Sequence, residues 1–180
     1  MTKVDGRPSR DETFWKVLNA ALELDFRKGH LKWTMSELSR KSSITRSLIY
    51  YHFGRSKSAI LTEAVRVIGE EIIGIAPDRM ELWKVGDWAQ AIQRGRSVTQ
   101  QSPYLVNFYM VHRDRPTDVG EGLRKLETRY MKKLGDIFPK LTEAELRILF
   151  GIFFGMIFAP LVNNEAIDAG MKALKSLLKP

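Results

Sequence analysis

Apolar residues recur at helical spacing along almost the whole of this chain. Phe14, Trp15, Leu18, Ala21, Leu22 and Phe26 lie three and four apart and form one stripe, which predicts a helix from about Asp11 to Lys28. Gly29 suits its stop, and Arg27 and Lys28 suit the negative end of its dipole. Thr34-x-x-Glu37 is a capping-box pattern opening a short second helix anchored by Met35 and Leu38. Ser42 and Ser43 interrupt it, because serine oxygens bond locally and compete with helical continuation. Thr45 then caps a third helix to Phe53, with Ile49 and Phe53 four apart on one face. Ser56 or Lys57 opens a fourth, carried to about Ile73 by Ile60, Ala64, Val65, Ile68 and Ile72. Gly74 and Pro77 end it, and Pro77 marks a domain boundary.

The remainder reads as helix throughout, with no strand candidate. A short segment, Asp78 to Val85, precedes Asp87-x-x-Gln90, a second capping-box pattern, and a helix from Trp88 to about Gln101. Pro103 starts an aromatic helix, Tyr104 to Arg113, and Pro116 ends it. Thr117 or Asp118 caps a long helix to Phe138, striped by Val119, Leu123, Leu126, Tyr130, Leu134 and Ile137. After Pro139, Thr142 begins a helix that is apolar all round from Ile148 to Ala159, and Asn163 or Asn164 opens the last, Glu165 to Lys179. The expected fold class is therefore all-α. Residues 1–9 form a polar arm, 10–73 an N-terminal three-helix head with its connecting helix, and 74–180 a C-terminal helical body.

Charge sharpens this division. Residues 1–60 hold 12 Lys and Arg against 6 Asp and Glu, while the other 120 hold 17 against 15. Three quarters of the net +8 thus lies in the N-terminal third, which points that end at a polyanion. The absence of cysteine excludes disulfides and thiolate metal sites and fits a reducing compartment. No signal-peptide pattern opens the chain, and the longest apolar run, Ile148 to Val162, has 15 residues against the roughly 20 a spanning helix needs. A cytoplasmic protein without a membrane partner is expected. The three histidines (His30, His52, His112) are scattered, and no phosphate-loop, dinucleotide or nucleophile-elbow motif occurs. We expect neither catalysis nor a metal or other cofactor.

The third helix carries the chemistry. Its outward positions are Thr45, Arg46, Ser47, Tyr50, Tyr51 and His52, mostly hydrogen-bond donors, on a helix short enough to lie in a DNA major groove. The stretch Thr34 to Lys57, with Thr45-x-x-x-Ile49-Tyr50-Tyr51-His52-Phe53 and the downstream lysine, resembles the helix-turn-helix of the tetracycline-repressor (TetR) family of transcriptional regulators. The motif spans roughly Phe14 to Val67. Ser43 stands where the family usually has glycine in the turn, and one residue more than usual separates Phe53 from Lys57, which brings Arg55 toward the phosphate site.

The resemblance implies that Thr34, Tyr50, His52 and Lys57 hold phosphates and that Thr45, Arg46 and Ser47 face base edges. Tyr51 then touches sugar, phosphate or a thymine methyl. Arg46 is the first choice for specificity, since a guanidinium donates two hydrogen bonds to guanine O6 and N7. It further implies a homodimer on an inverted-repeat operator, paired through Gly151, Gly155, Phe158, Ile167, Met171, Leu174 and Leu178 of the last two helices. Trp83, Trp88, Tyr104, Phe108, Tyr109, His112 and Phe154 come from the helices that enclose an inducer cavity in the family. The expected protein is thus a repressor that an unidentified small molecule releases from DNA. The competing class is a helical carrier of small apolar molecules, or a membrane-surface protein whose basic end meets lipid headgroups.

Overall fold

The computed structural model describes residues 9–159 and 162–178, with Leu177 described in its backbone alone. Among them every regular element is helical. The arm expected over residues 1–9 lies outside the described residues except for Ser9, whose hydroxyl accepts from the Glu12 N–H and caps the first helix. Pro160, Leu161 and Lys179, which the expected last two helices touch, lie outside them as well. The chain divides into two compact units, Met1–Ala64 and Val65–Pro180.

The first unit holds α1 (Arg10–Lys28), α2 (Met35–Ser42), α3 (Arg46–Phe53) and the start of α4 (Lys57–Val67). Its core is Val17, Leu18, Ala21, Leu22, Trp33, Leu38, Ile44, Ile49, Phe53, Ile60 and Leu61, all buried. Fully burying such a side chain stabilises by roughly 1.5–3 kcal/mol, so three short helices that would not persist alone hold one another. Phe26, expected on the apolar stripe of α1, is 52% exposed, and Asp25 beside it is buried instead. The reason is the loop that follows. Asp25 accepts from the Leu31 N–H at 2.8 Å and from Trp33 Nε1 at 3.0 Å, so its carboxylate is the post around which residues 29–33 wrap.

In the second unit α4 gives way to a π-helical segment, Ile68–Ile73, that ends at left-handed Gly74. Then come α5 (Pro77–Lys84), α6 (Trp88–Gln101), α7 (Tyr104–His112), α8 (Asp118–Ile137), α9 (Glu143–Phe158) and α10 (Asn164–Leu177). Helix α6 is the centre: it packs on the π segment, α5, α7, α9 and α10, and α8 packs on α7, α9 and the π segment. Close approach demands small residues there. A Cβ on Gly95 would lie 2.9 Å from the Ile72 carbonyl oxygen, and one on Gly69 2.5 Å from Leu126 Cδ2. The chain starts its helices where sequence chemistry says. Thr117, Thr142 and Asn163 each accept a backbone N–H three residues on, and Thr142 with Glu145 forms a full capping box that the apolar pattern alone does not reveal. No helix among the described residues is long and apolar enough to cross a membrane.

Candidate nucleic-acid interface

The second and third helices are set by their own caps. Thr34 accepts from the Glu37 N–H at 3.2 Å while Glu37 reaches back to the Thr34 N–H at 2.8 Å. Glu37 also pairs with Lys28 of α1; this bond and those to Thr34 hold its carboxyl down at about 2. Across the same faces Glu23 accepts from Lys41 at 2.9 Å and Arg27 at 2.8 Å, fixing α2 against α1. Ser43 ends α2 at φ 58° and ψ 25°, the left-handed geometry that glycine takes without cost. Around it Ser42 Oγ donates to the Leu38 carbonyl at 2.8 Å and Ser39 Oγ to that of Ile44 at 2.7 Å, so hydroxyls complete the turn. Thr45 then caps α3, accepting from the Leu48 N–H at 3.4 Å.

Helix α3 has two clean sides. Ile49 and Phe53 are buried, and the Phe53 ring stacks on Phe14 with centroids 5.4 Å apart. Outward, Thr34, Thr45, Arg46, Ser47 and Tyr51 are exposed, Tyr51 by 82%, and Tyr50 and His52 are half-buried. Tyr51 and His52 meet edge to face at 5.1 Å, and the exposed Arg55 guanidinium lies 5.7 Å over the Tyr50 ring. Lys57 behaves differently from the rest. Its ammonium donates to the carbonyls of Leu31 at 2.5 Å and Trp33 at 2.9 Å and rests over the Trp33 ring, so two of its three N–H groups clasp the α1–α2 loop.

A short capped helix with donors outward and a core face inward, docked on two others, is a helix-turn-helix head of the kind that enters a major groove. Residues 17–64 match the family model described as bacterial regulatory proteins, tetR family. No curated protein matches the chain. Solved structures share its fold over nearly their full length. The transcriptional regulator FadR from Bacillus subtilis, in complex with stearoyl-CoA, is 17% identical with a TM-score of 0.57, covering 92% of this chain and 97% of that one. NalD, the secondary repressor of the MexAB-OprM multidrug efflux pump in Pseudomonas aeruginosa, is 16% identical with a TM-score of 0.52, covering 93% and 96%. The TetR-family regulator PfmR from Thermus thermophilus is 19% identical with a TM-score of 0.52, covering 91% and 93%.

The body rearranges the remaining expectations. A small cavity of about 10 Å³ is lined by Ile72, Ile73, Tyr130, Phe150, Phe153, Phe154 and Ile157. Of the seven residues expected at a ligand, only Phe154 lines it. Trp83 stands next to it, its ring 4.6 Å from Phe153. Trp88 faces Phe138 at 5.3 Å and donates to the Trp83 carbonyl, while Phe108 packs on His112 at 4.7 Å. Tyr109 packs on Phe154 at 5.0 Å with the rings tilted, and its hydroxyl bonds Glu127; burial first, then Glu127, raise its pKa. Tyr104 is half-buried. Tyr130 and Ile157, which also line the cavity, sit in ordinary helical stripes that carry no signal of it in the sequence.

Of the expected dimer residues, Gly151 and Gly155 are exposed, and a Cβ on either would meet nothing within 4 Å. Phe158, Leu174 and Leu178 are half-buried. Ile167 and Met171 are 0% and 2% exposed and belong to the chain's own core, because α10 turns that face onto α6. A wider cleft of about 590 Å³ lies along α8 and α9, but its charges are already spent, Arg113 donating to both Glu127 oxygens at 2.9 and 2.7 Å.

Proposed function

We propose that this chain is a homodimeric, sequence-specific DNA-binding repressor, released from an inverted-repeat operator by a small molecule bound in its body. The observation that carries the reading is the outward face of α3. Thr45, Arg46, Ser47 and Tyr51 are exposed, while Ile49 and Phe53 of the same helix enter the core. Arg46 reads a base edge; Thr34, Tyr50, His52 and Arg55 hold phosphates. Lys57, with two donors committed to the α1–α2 loop, acts mainly by holding that loop and offers a phosphate at most its third. NalD supports the repressor sign and the stearoyl-CoA complex of FadR supports small-molecule control. A regulator of this kind works in the cytoplasm and catalyses nothing.

Dimer formation is supported by α9, whose Ile148 is 65% exposed beside uncovered Gly151 and Gly155. An apolar stripe with two glycines four apart lets a second helix approach closely. Two heads on one duplex turn weak single contacts into useful affinity. Coupling runs through the π segment. Ile72 and Ile73 line the cavity and end the helical run that begins at Lys57, so a ligand that spreads the cavity acts on the register of that run.

Selection of bound duplexes from a random pool tests the reading, and an inverted repeat is the expected product. Arg46→Ala then costs about 1–3 kcal/mol on that repeat and relaxes preference at one base pair. Equal losses on the selected and random duplexes remove Arg46 from base reading, and a pool without enrichment removes sequence recognition altogether.

A further inference from the structure

Helix α5 buries a charge that has no ion-pair partner among the described residues. Arg79 is 3% exposed and Trp83 2%, four residues apart on the same helix. Arg79 Nη2 donates to the Ala91 carbonyl at 2.9 Å, and no carboxylate is in ion-pair contact with the guanidinium among the described residues. Arg79 Nε and Trp83 Nε1 are both buried without an acceptor. They flank one spot: a Cβ on Gly74 would lie 3.1 Å from Trp83 Nε1 and 3.6 Å from Arg79 Nε. The spot is tight, and Gly74, at φ 77°, keeps a side chain out of it, so an anion must part Gly74 from the two donors to reach them. Burial lowers the Arg79 pKa, and Glu71 and Asp78 only partly oppose this from a distance.

Two converging donors, one of them charged, with no acceptor are costly in a packed interior. They become favourable when an anion arrives. The neighbourhood says which kind. The Trp83 ring lies 4.6 Å from Phe153 and 6.3 Å from Tyr130, both of which line the aromatic cavity. One cation and one indole N–H match a single carboxylate, whereas a phosphate dianion asks for more charge and more donors. An aromatic wall beside them matches an apolar tail. At about 10 Å³ the cavity holds no more than a water at rest, so the tail must be compact and must part the Ile72 and Phe153 walls.

We propose that Arg79 and Trp83 are the anion seat of the effector site, and that the effector is a monocarboxylate with a compact apolar tail. This rests on the reading of the body as an effector domain. The test is calorimetric titration of the full chain, without DNA, by sodium hexanoate and by 1-hexanol at constant ionic strength, with sodium chloride as the control. Saturable hexanoate binding at least about tenfold tighter than hexanol is expected. Trp83→Phe keeps the ring, loses the donor and weakens hexanoate by about tenfold; Arg79→Met abolishes the preference over hexanol. Absence of saturable hexanoate binding, equal binding of the alcohol, or undiminished binding by Trp83→Phe overturns the proposal and leaves the seat to a water. Should Arg79→Met fail to fold, Trp83→Phe still decides. Because no duplex is present, loss of operator recognition would show in the pool selection and leave this result standing.

Discussion

The head and the body are both helical, yet the residues proposed to work in each lie in opposite places. In the head the residues proposed to meet DNA stand in solvent: Arg46, Ser47 and Tyr51 are exposed, and the core behind them is plain Ile49 and Phe53. In the body the groups that stand out chemically are inside it, Arg79 and Trp83 with unanswered donors in an aromatic interior. A surface that reads a polymer must be presented; a pocket that selects a small molecule must exclude water. Patterning identifies the first because it marks what is outward. It hides the second, because a working aromatic and a packing aromatic look alike.

The difference explains what could be read from the chain alone. Helix starts were legible wherever a side chain makes its own cap, as at Thr34, Thr45, Thr117 and Asn163. The helix-turn-helix stretch was legible because its motif is local. The π segment was not, since six residues of Ile-Gly-Glu-Glu-Ile-Ile cannot separate one helical period from another. Asp25 and Arg79 were not, because a charge is expected outside unless one knows what awaits it inside. Asp25 meets the Leu31 and Trp33 N–H groups, and Arg79 the Ala91 carbonyl, partners supplied only by the fold. Ile167 and Met171 were misplaced for a related reason: an amphipathic helix has one apolar face, and the sequence does not say whether α6 or a second copy covers it.

The sharpest way to break the comparison is to unfold one side and watch the other. Phe53→Ala removes a buried ring stacked on Phe14 and should cost the head about 3–5 kcal/mol. Amide exchange should then accelerate in α1, α2 and α3 while α6, α8 and α9 keep their protection. Uniform acceleration would mean that the two units unfold as one. The reverse experiment is Gly120→Ala. Its Cβ would lie 2.2 Å from the Arg115 carbonyl oxygen and 2.6 Å from that of His112, and backbone cannot yield as a side-chain tip can. A loss of at least about 1–3 kcal/mol is expected, confined in exchange to the body. A neutral Gly120→Ala would show that the turn before α8 is looser than its packing implies.

A smaller effect separates fold from function within the head. Ser43 sits at φ 58° where glycine would be unstrained, so Ser43→Gly should stabilise by up to about 1 kcal/mol, less what glycine adds to the freedom of the unfolded chain. Urea denaturation measures it. Operator affinity should stay unchanged, because the turn is already held by the Ser39 and Ser42 hydroxyls. Destabilisation would mean that the serine contributes more than its backbone geometry costs.

The finest comparison uses two capping boxes of one design, Thr34 with Glu37 in the head and Thr142 with Glu145 in the body. Both glutamates accept from their threonine's N–H and hydroxyl, and both are lowered from 4.5. Only Glu37 also meets a cation, Lys28, and only it falls to about 2. A depressed carboxyl stabilises the fold above its unfolded pKa, and that contribution fades as pH drops through the folded value. The α2 cap should therefore weaken between pH 4.5 and about 2, with the Glu145 cap yielding at higher pH than the Glu37 cap. Carboxyl carbon NMR titration reads both midpoints in one sample. Lys28→Ala should raise the Glu37 midpoint toward that of Glu145 and leave Glu145 where it was. Coincident midpoints in the unaltered protein would show that the Lys28 bond does not persist in water, and that α2 is held on α1 by Leu38 and the Glu23 pairs alone.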